Sequence, residues 1–134
     1  MSQMFVNLPV TDLNRSKAFF ERLGFSFNPD FTSENGTCMI VGDDAFVMLL
    51  TEEFFKTFTD RPVAEASEGT EAIVAISADT RDDVDRIVDT AMESGGAASK
   101  PPMSADGMYS RSFADPDGHL WEVVYMDMSA MATA

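Results

Sequence analysis

Apolar and polar positions along this chain switch between two periods. "MFVNLPV" (4–10) is rich in β-branched and aromatic residues and predicts a strand. "TDLNRSKAFFERLGF" (11–25) predicts a helix, because Leu13, Phe20 and Leu23 recur at helical spacing. Thr11 or Asp12 can cap it by accepting from a free N–H of the first turn, and Gly24 suits the position after its end. "FSFNPDF" predicts a second strand stopped at Asn28-Pro29, and "TCMIVGDDAFVMLLT" a hairpin around Gly42-Asp43-Asp44. Residues 52–71 are mostly polar, hold a Pro and a Gly, and keep Phe54, Phe55 and Phe58. They read as a crossing arm, and the Phe residues suggest a subunit interface or a lid.

The pattern then restarts. "EAIVAISAD" (71–79) predicts a strand, and "TRDDVDRIVDTAMESGG" the clearest helix. Thr80 caps that helix, and Asp82 and Asp83 occupy its first turn, where the dipole favours acids. Val84, Ile87, Val88 and Ala91 line one face, and Gly95-Gly96 ends it. "ASKPPM", "GMYSRSFA" and "HLWEVVYM" predict three more short strands. The order is therefore βαβββ, arm, βαβββ, with Asp12 and Asp79 at matching strand-to-helix junctions. The fold class expected is α+β, two βαβββ modules with curved mixed sheets. The 134 residues suit one domain, with module one at about 1–60, module two at about 69–127 and a frayed tail at 128–134.

Charge and cysteine narrow the function. The net charge is −14, from 23 acids against 9 bases. Such a surface repels nucleic acid and anionic membrane, so neither is an expected partner. The single Cys38 allows no internal disulfide and no multi-cysteine zinc site. With no basic residue or His near it in sequence to lower its pKa, it is a poor nucleophile. The longest apolar run, "AFVMLL", is far shorter than the roughly 18 residues of a membrane span, and no signal segment opens the chain. A cytoplasmic protein is expected.

"LPVTDLNRSKAFFERLGF" near the start and "FADPDGHLWEVV" near the end, set around the duplicated topology, resemble the vicinal oxygen chelate superfamily. That superfamily includes glyoxalase I, bleomycin and fosfomycin resistance proteins and extradiol dioxygenases, and the resemblance is to its glyoxalase-like sub-class. The resemblance implies one paired glyoxalase-like domain, a homodimer, and sheets around a cavity. In metal-dependent members that cavity holds a divalent ion, with ligands on the first and last strands of each module.

Carried onto this sequence, the four implied ligand positions are Phe5, Met48, Ile73 (or its neighbour Ala72) and Glu122. Only Glu122 offers a donor that a hard divalent ion accepts. His119 lies three residues from Glu122, hence on the opposite strand face, and reads as structural. No metal and no cofactor are therefore expected, unless unrecognised ligands join Glu122. The expected ligand-binding pocket comprises Phe5, Asn7, Met48, Ile73, Tyr109, Arg111 and Glu122. Glu122 is the one candidate catalytic residue. A carboxylate facing an apolar cavity needs a cation, donors or a proton. Asn7 is one candidate donor, and Arg111 is the counter-ion if its face of the strand points inward.

Three functions remain open at this point. The first is a metal-free binder of a small organic ligand, as in drug-sequestering relatives. The second is a metal-dependent or Glu-based lyase, isomerase or dioxygenase. The third is a structural dimer whose cavity Phe5 and Met48 have filled.

Overall fold

A computed structural model describes residues 2–127. The tail expected at 128–134 lies outside the described residues. The chain divides into two compact units between Glu65 and Ala66. Among the described residues no helix is long and apolar enough to cross a membrane.

In the first unit, β1 (Met4–Val10) is followed by α1 (Leu13–Arg22), β2 (Ser26–Asn28), a single 3-10 turn at Pro29–Phe31, β3 (Gly36–Ile40) and β4 (Ala45–Thr51). Asp12, not Thr11, caps α1: its side chain accepts from the Arg15 N–H at 3.1 Å. Gly24 then leaves the helix at φ 104°, a left-handed conformation that glycine adopts without a Cβ clash. The sheet order is β1-β4-β3-β2. β1 runs parallel to β4, and the two other neighbour pairs are antiparallel.

Strand alternation sorts this sheet into two faces. Phe27, Met39, Val47 and Leu49 share the face that meets α1, with Lys17 lying over the Phe27 ring. Phe19, Phe20 and Leu23 from the helix are buried with Met39, Val47 and Leu49. Phe19 and Phe20 meet edge to face at 4.9 Å between ring centres. The opposite face carries Phe5, Asn7, Phe46, Met48 and Cys38.

The arm expected over residues 52–71 is not wholly irregular. It opens with one helical turn, α2 (Glu52–Phe55), capped by Thr51, and a 3-10 turn at Lys56–Phe58. Phe54 and Phe58 are exposed and pack edge to face on each other at 5.2 Å, while Phe55 is half-buried.

The second unit repeats the plan. β5 (Ile73–Ser77), α3 (Arg81–Glu93), β6 (Ala97–Ala98), β7 (Met103–Ala105), β8 (Met108–Ala114) and β9 (Leu120–Met126) follow in order. Thr80 caps α3 by accepting from the Asp83 N–H at 3.0 Å. β5 runs parallel to β9, β9 antiparallel to β8, and β8 antiparallel to β6 and β7. One expected strand, "ASKPPM", is corrected. Only its end residues, Ala98 in β6 and Met103 in β7, pair with β8, and residues 99–102 between them are outside the ladder. Pro101 and Pro102 have no N–H to give to the ladder, which is why pairing lapses there.

Apart from that break the connectivity equals that of the first unit. The fold is α+β with two open mixed sheets, as βαβββ repetition predicts.

Candidate functional site

The turn between β8 and β9 fixes where each β9 side chain points. Asp115 is 5% exposed, and one of its carboxylate oxygens accepts from the backbone N–H groups of Asp117 and His119, each at 3.0 Å. Its other oxygen accepts from the Trp121 indole at 3.0 Å. The Asp115 N–H closes the turn onto the His119 carbonyl at 2.9 Å. Burial pushes the Asp115 carboxyl above its ordinary pKa, against the opposing pull of His119, the indole and the backbone donors. Trp121 is fully buried and stacks parallel to Phe113, with ring centres 6.3 Å apart.

Alternation then puts Trp121, Val123 and Tyr125 on the face that packs against α3, and Leu120, Glu122 and Val124 on the other. Glu122 stands across from Ala75 on β5 and Ser112 on β8. It is half-buried. Among the described residues its carboxylate has no hydrogen-bond or ion-pair partner. Water still reaches it, since no buried side-chain atom lacks a partner.

Arg111 and Tyr109 correct the sequence-based expectation. Both project from the α3 face of β8, the side away from Glu122, because Ser112 is the residue paired with Glu122. Arg111 is not a bare surface charge either. One of its guanidinium nitrogens bridges Asp85 at 3.0 Å and Asp89 at 2.9 Å on α3. Tyr109 donates its hydroxyl to the same Asp85 at 2.6 Å. The Tyr109 hydroxyl and Arg111 hold the Asp85 carboxyl below its usual range, and the same bond raises the Tyr109 phenol. The Arg81 guanidinium lies over the Tyr109 ring at 5.2 Å and the Tyr125 ring at 5.9 Å. This network ties the helix to the sheet. The signal for it was present in Asp85 and Asp89, which at i and i+4 form one acidic stripe.

The other expected site residues sit on the faces turned away from the helices. Phe5 stacks on Phe46 at 5.0 Å, Asn7 is exposed beside Met48, and Met48 faces Cys38 across the ladder. Burial raises the Cys38 thiol pKa, which makes it a poor nucleophile. In the second sheet Ile73, 57% exposed, shares the Glu122 face, whereas its neighbour Val74 pairs with Trp121 on the α3 face. Among the described residues no three or more His, Cys, Asp or Glu side chains are grouped to hold a metal ion.

The first unit also has an open cleft of about 460 Å³ lined in part by Glu34, Glu52, Glu53 and Thr51. Thr51 caps α2 there by accepting from the Phe54 N–H. None of the site residues expected from the sequence lines that cleft.

Known structures repeat this arrangement. A hypothetical protein from S. aureus, SA1046, is 28% identical over 93% of this chain and 94% of its own, with a TM-score of 0.78. A glyoxalase/bleomycin resistance protein/dioxygenase family enzyme from Burkholderia phytofirmans is 17% identical, covering 95% and 100%, with a TM-score of 0.77. A variant of the fosfomycin resistance protein FosX from Listeria monocytogenes, solved with Mn(II) and dihydroxypropylphosphonic acid, is 17% identical. It covers 99% of this chain and 98% of its own, at a TM-score of 0.68. A search of the curated proteins finds no match. The family model for the Glyoxalase/Bleomycin resistance protein/Dioxygenase superfamily matches residues 3–123, and the chain belongs to that superfamily.

Proposed function

We propose that the protein binds a small organic ligand beside Glu122, on the sheet face turned away from α3, without a resident divalent metal. One observation carries this reading. The four positions that the family resemblance implies as metal ligands are Phe5, Met48, Ile73 (or Ala72) and Glu122. A hard divalent ion takes oxygen or nitrogen donors, and this set supplies one carboxylate. The donor chemistry does not fit such an ion, so no step is assigned to one. Ile73, Leu120 and Val124 around Glu122 instead offer apolar contact area with one polar anchor, the usual composition of a small-molecule site.

The test combines metal analysis of the purified protein with thermal-shift screening against metabolites and cationic antibiotics. The expected result is substoichiometric metal and at least one organic compound that raises the melting temperature. Stoichiometric nickel, zinc, iron or manganese would overturn the reading. It would equally fail if no compound in the panel shifted the melt. The reading includes a cytoplasmic homodimer, which light scattering of the purified protein checks.

A second reading is a glyoxalase-type lyase, isomerase or dioxygenase. The fold shared with a FosX variant that holds Mn(II) favours it. In its metal-free form Glu122 acts as general base on the bound ligand. Turnover that survives chelation and disappears in Glu122→Gln would establish that form.

A further inference from the structure

The second sheet treats its two charges unequally. Across β5 to β9 only Arg111 and Glu122 are charged, and they project from opposite faces. Arg111 is matched by Asp85 and Asp89, and Asp85 in turn accepts the Tyr109 hydroxyl. Glu122 has no such match. Its cross-strand neighbours are Ala75 and Ser112, and its neighbours along the strand on the same face are Leu120 and Val124. The Ser112 hydroxyl oxygen accepts the Lys100 backbone N–H at 3.0 Å and carries no charge to set against Glu122. The unit's other basic residues, Arg81, Arg86, Lys100 and His119, lie on α3, in the loop after β6 or in the turn before β9, not on the strands.

Covering this face with an organic molecule removes water from the Glu122 carboxylate. A desolvated carboxylate without a counter-charge costs several kcal/mol. Among the described residues no strand of this unit presents a cation on that face, so a ligand that carries one offsets the cost. We infer that the ligand bound at Glu122 is an organic cation, an amine, amidine or quaternary ammonium on an apolar body. This deepens the binding reading above and rests on it. The apolar body lies along Ile73, Leu120 and Val124, and the positive nitrogen pairs with Glu122. The net charge of −14 works in the same direction at long range, by raising the local concentration of cations.

Three soluble probes of nearly one shape separate the charge from the shape: benzamidine, benzamide and benzoate. Isothermal titration or ligand-observed NMR on the wild-type protein reads their affinities. Benzamidine is expected to bind at least about tenfold more tightly than benzamide, or 1.4 kcal/mol, with benzoate weakest. Glu122→Gln is expected to bring the benzamidine-to-benzamide ratio close to one while leaving benzamide unchanged. Because that substitution hardly alters the net charge, general attraction to an acidic protein would survive it, whereas a specific pair would not. Ala75→Lys, at an exposed position facing Glu122, supplies an internal cation and is expected to abolish the preference as well. Equal binding of benzamide and benzamidine by the wild-type protein overturns the inference and leaves the small-ligand reading standing. A preference that persists in Glu122→Gln overturns it too, as does failure of benzamidine to bind at millimolar concentration. In those cases the screening panel alone decides whether the binding reading survives.

Discussion

The two units share one strand order yet fill their interiors from opposite sides. In the first unit the bulk comes from the helix: Phe19, Phe20 and Leu23 press onto Met39, Val47 and Leu49. In the second the helix gives smaller side chains, Val84, Ile87, Val88 and Ala91, and the sheet gives Phe113 and Trp121. Close packing asks that each layer be filled, and either the helix or the sheet can supply the bulk. The second unit then adds a polar clamp from α3 to β8. On the faces away from the helices the contrast reverses. There the first sheet shows Phe5, Phe46 and Met48, while the second carries Glu122. A duplicated topology therefore constrains where side chains point, and leaves their chemistry free to diverge.

The strongest way to break that comparison is to remove the bulk from each unit in turn. Phe20→Ala and Trp121→Ala are each expected to cost about 3–5 kcal/mol in urea unfolding. The loss at Trp121 is deepened because the buried Asp115 carboxylate loses its indole donor. Hydrogen exchange should locate the damage, around α1 and β3–β4 for the first and α3 and β8–β9 for the second. A loss under about 1 kcal/mol in either variant would mean that the bulk is not where the packing lies.

A smaller effect is expected from giving α3 the bulk of α1. Ala91 is fully buried, so Ala91→Leu overfills a layer that Phe113 and Trp121 already occupy, at about 1–3 kcal/mol. If Ala91→Leu stabilises the protein, the volume argument fails.

The clamp is weaker again. Asp85 and Asp89 are 45% and 62% exposed at their side chains, so solvent screens both pairs. Arg111→Leu is expected to cost about 1 kcal/mol or less, and the difference from wild type should shrink with added salt. A difference that grows with salt would contradict an ion-pair origin.

Two acids of the second unit should bend the pH profile in opposite senses. The folded state lowers the Asp85 pKa, so its contribution is present above the ordinary carboxylate range and is lost as pH falls through the lowered value. Asp115 is raised, so its contribution is full below the ordinary value and is lost as pH rises through the raised one. Stability measured across the acid range for Asp85→Asn and Asp115→Asn, each subtracted from wild type, should give slopes of opposite sign. Parallel slopes would refute the assignment.

The least effect belongs to Glu122→Gln in the absence of ligand. With no partner to lose, the substitution is expected to stay within about 0.5 kcal/mol of wild type in the same unfolding experiment. A larger loss would reveal a structural role for the carboxylate and weaken its reading as a ligand anchor.

Much of the fold was legible because it rests on local rules. Helical spacing and the caps at Asp12 and Thr80 mark α1 and α3, and short apolar, β-branched and aromatic runs mark β1, β4, β8 and β9. The break between β6 and β7 was missed, although two adjacent prolines announced it. The site was legible in part. Glu122 and its strand face follow from the turn before β9, since alternation is a counting rule. The partners of Arg111 were not, because period two leaves each strand with two possible orientations.

The chain's pattern established two βαβββ modules and an acidic surface, since capping, periodicity and charge act within a few residues of where they are written. Which face of β8 meets α3, and so whether Arg111 or Glu122 is matched, was settled only when the sheet packed. That outcome depends on side chains distant in sequence, Trp121 with Asp115 and Arg111 with Asp85. The sheet buries the face that carries Trp121 and Phe113, whose polar neighbours Asp115 and Arg111 find partners, and it leaves the carboxylate on the other.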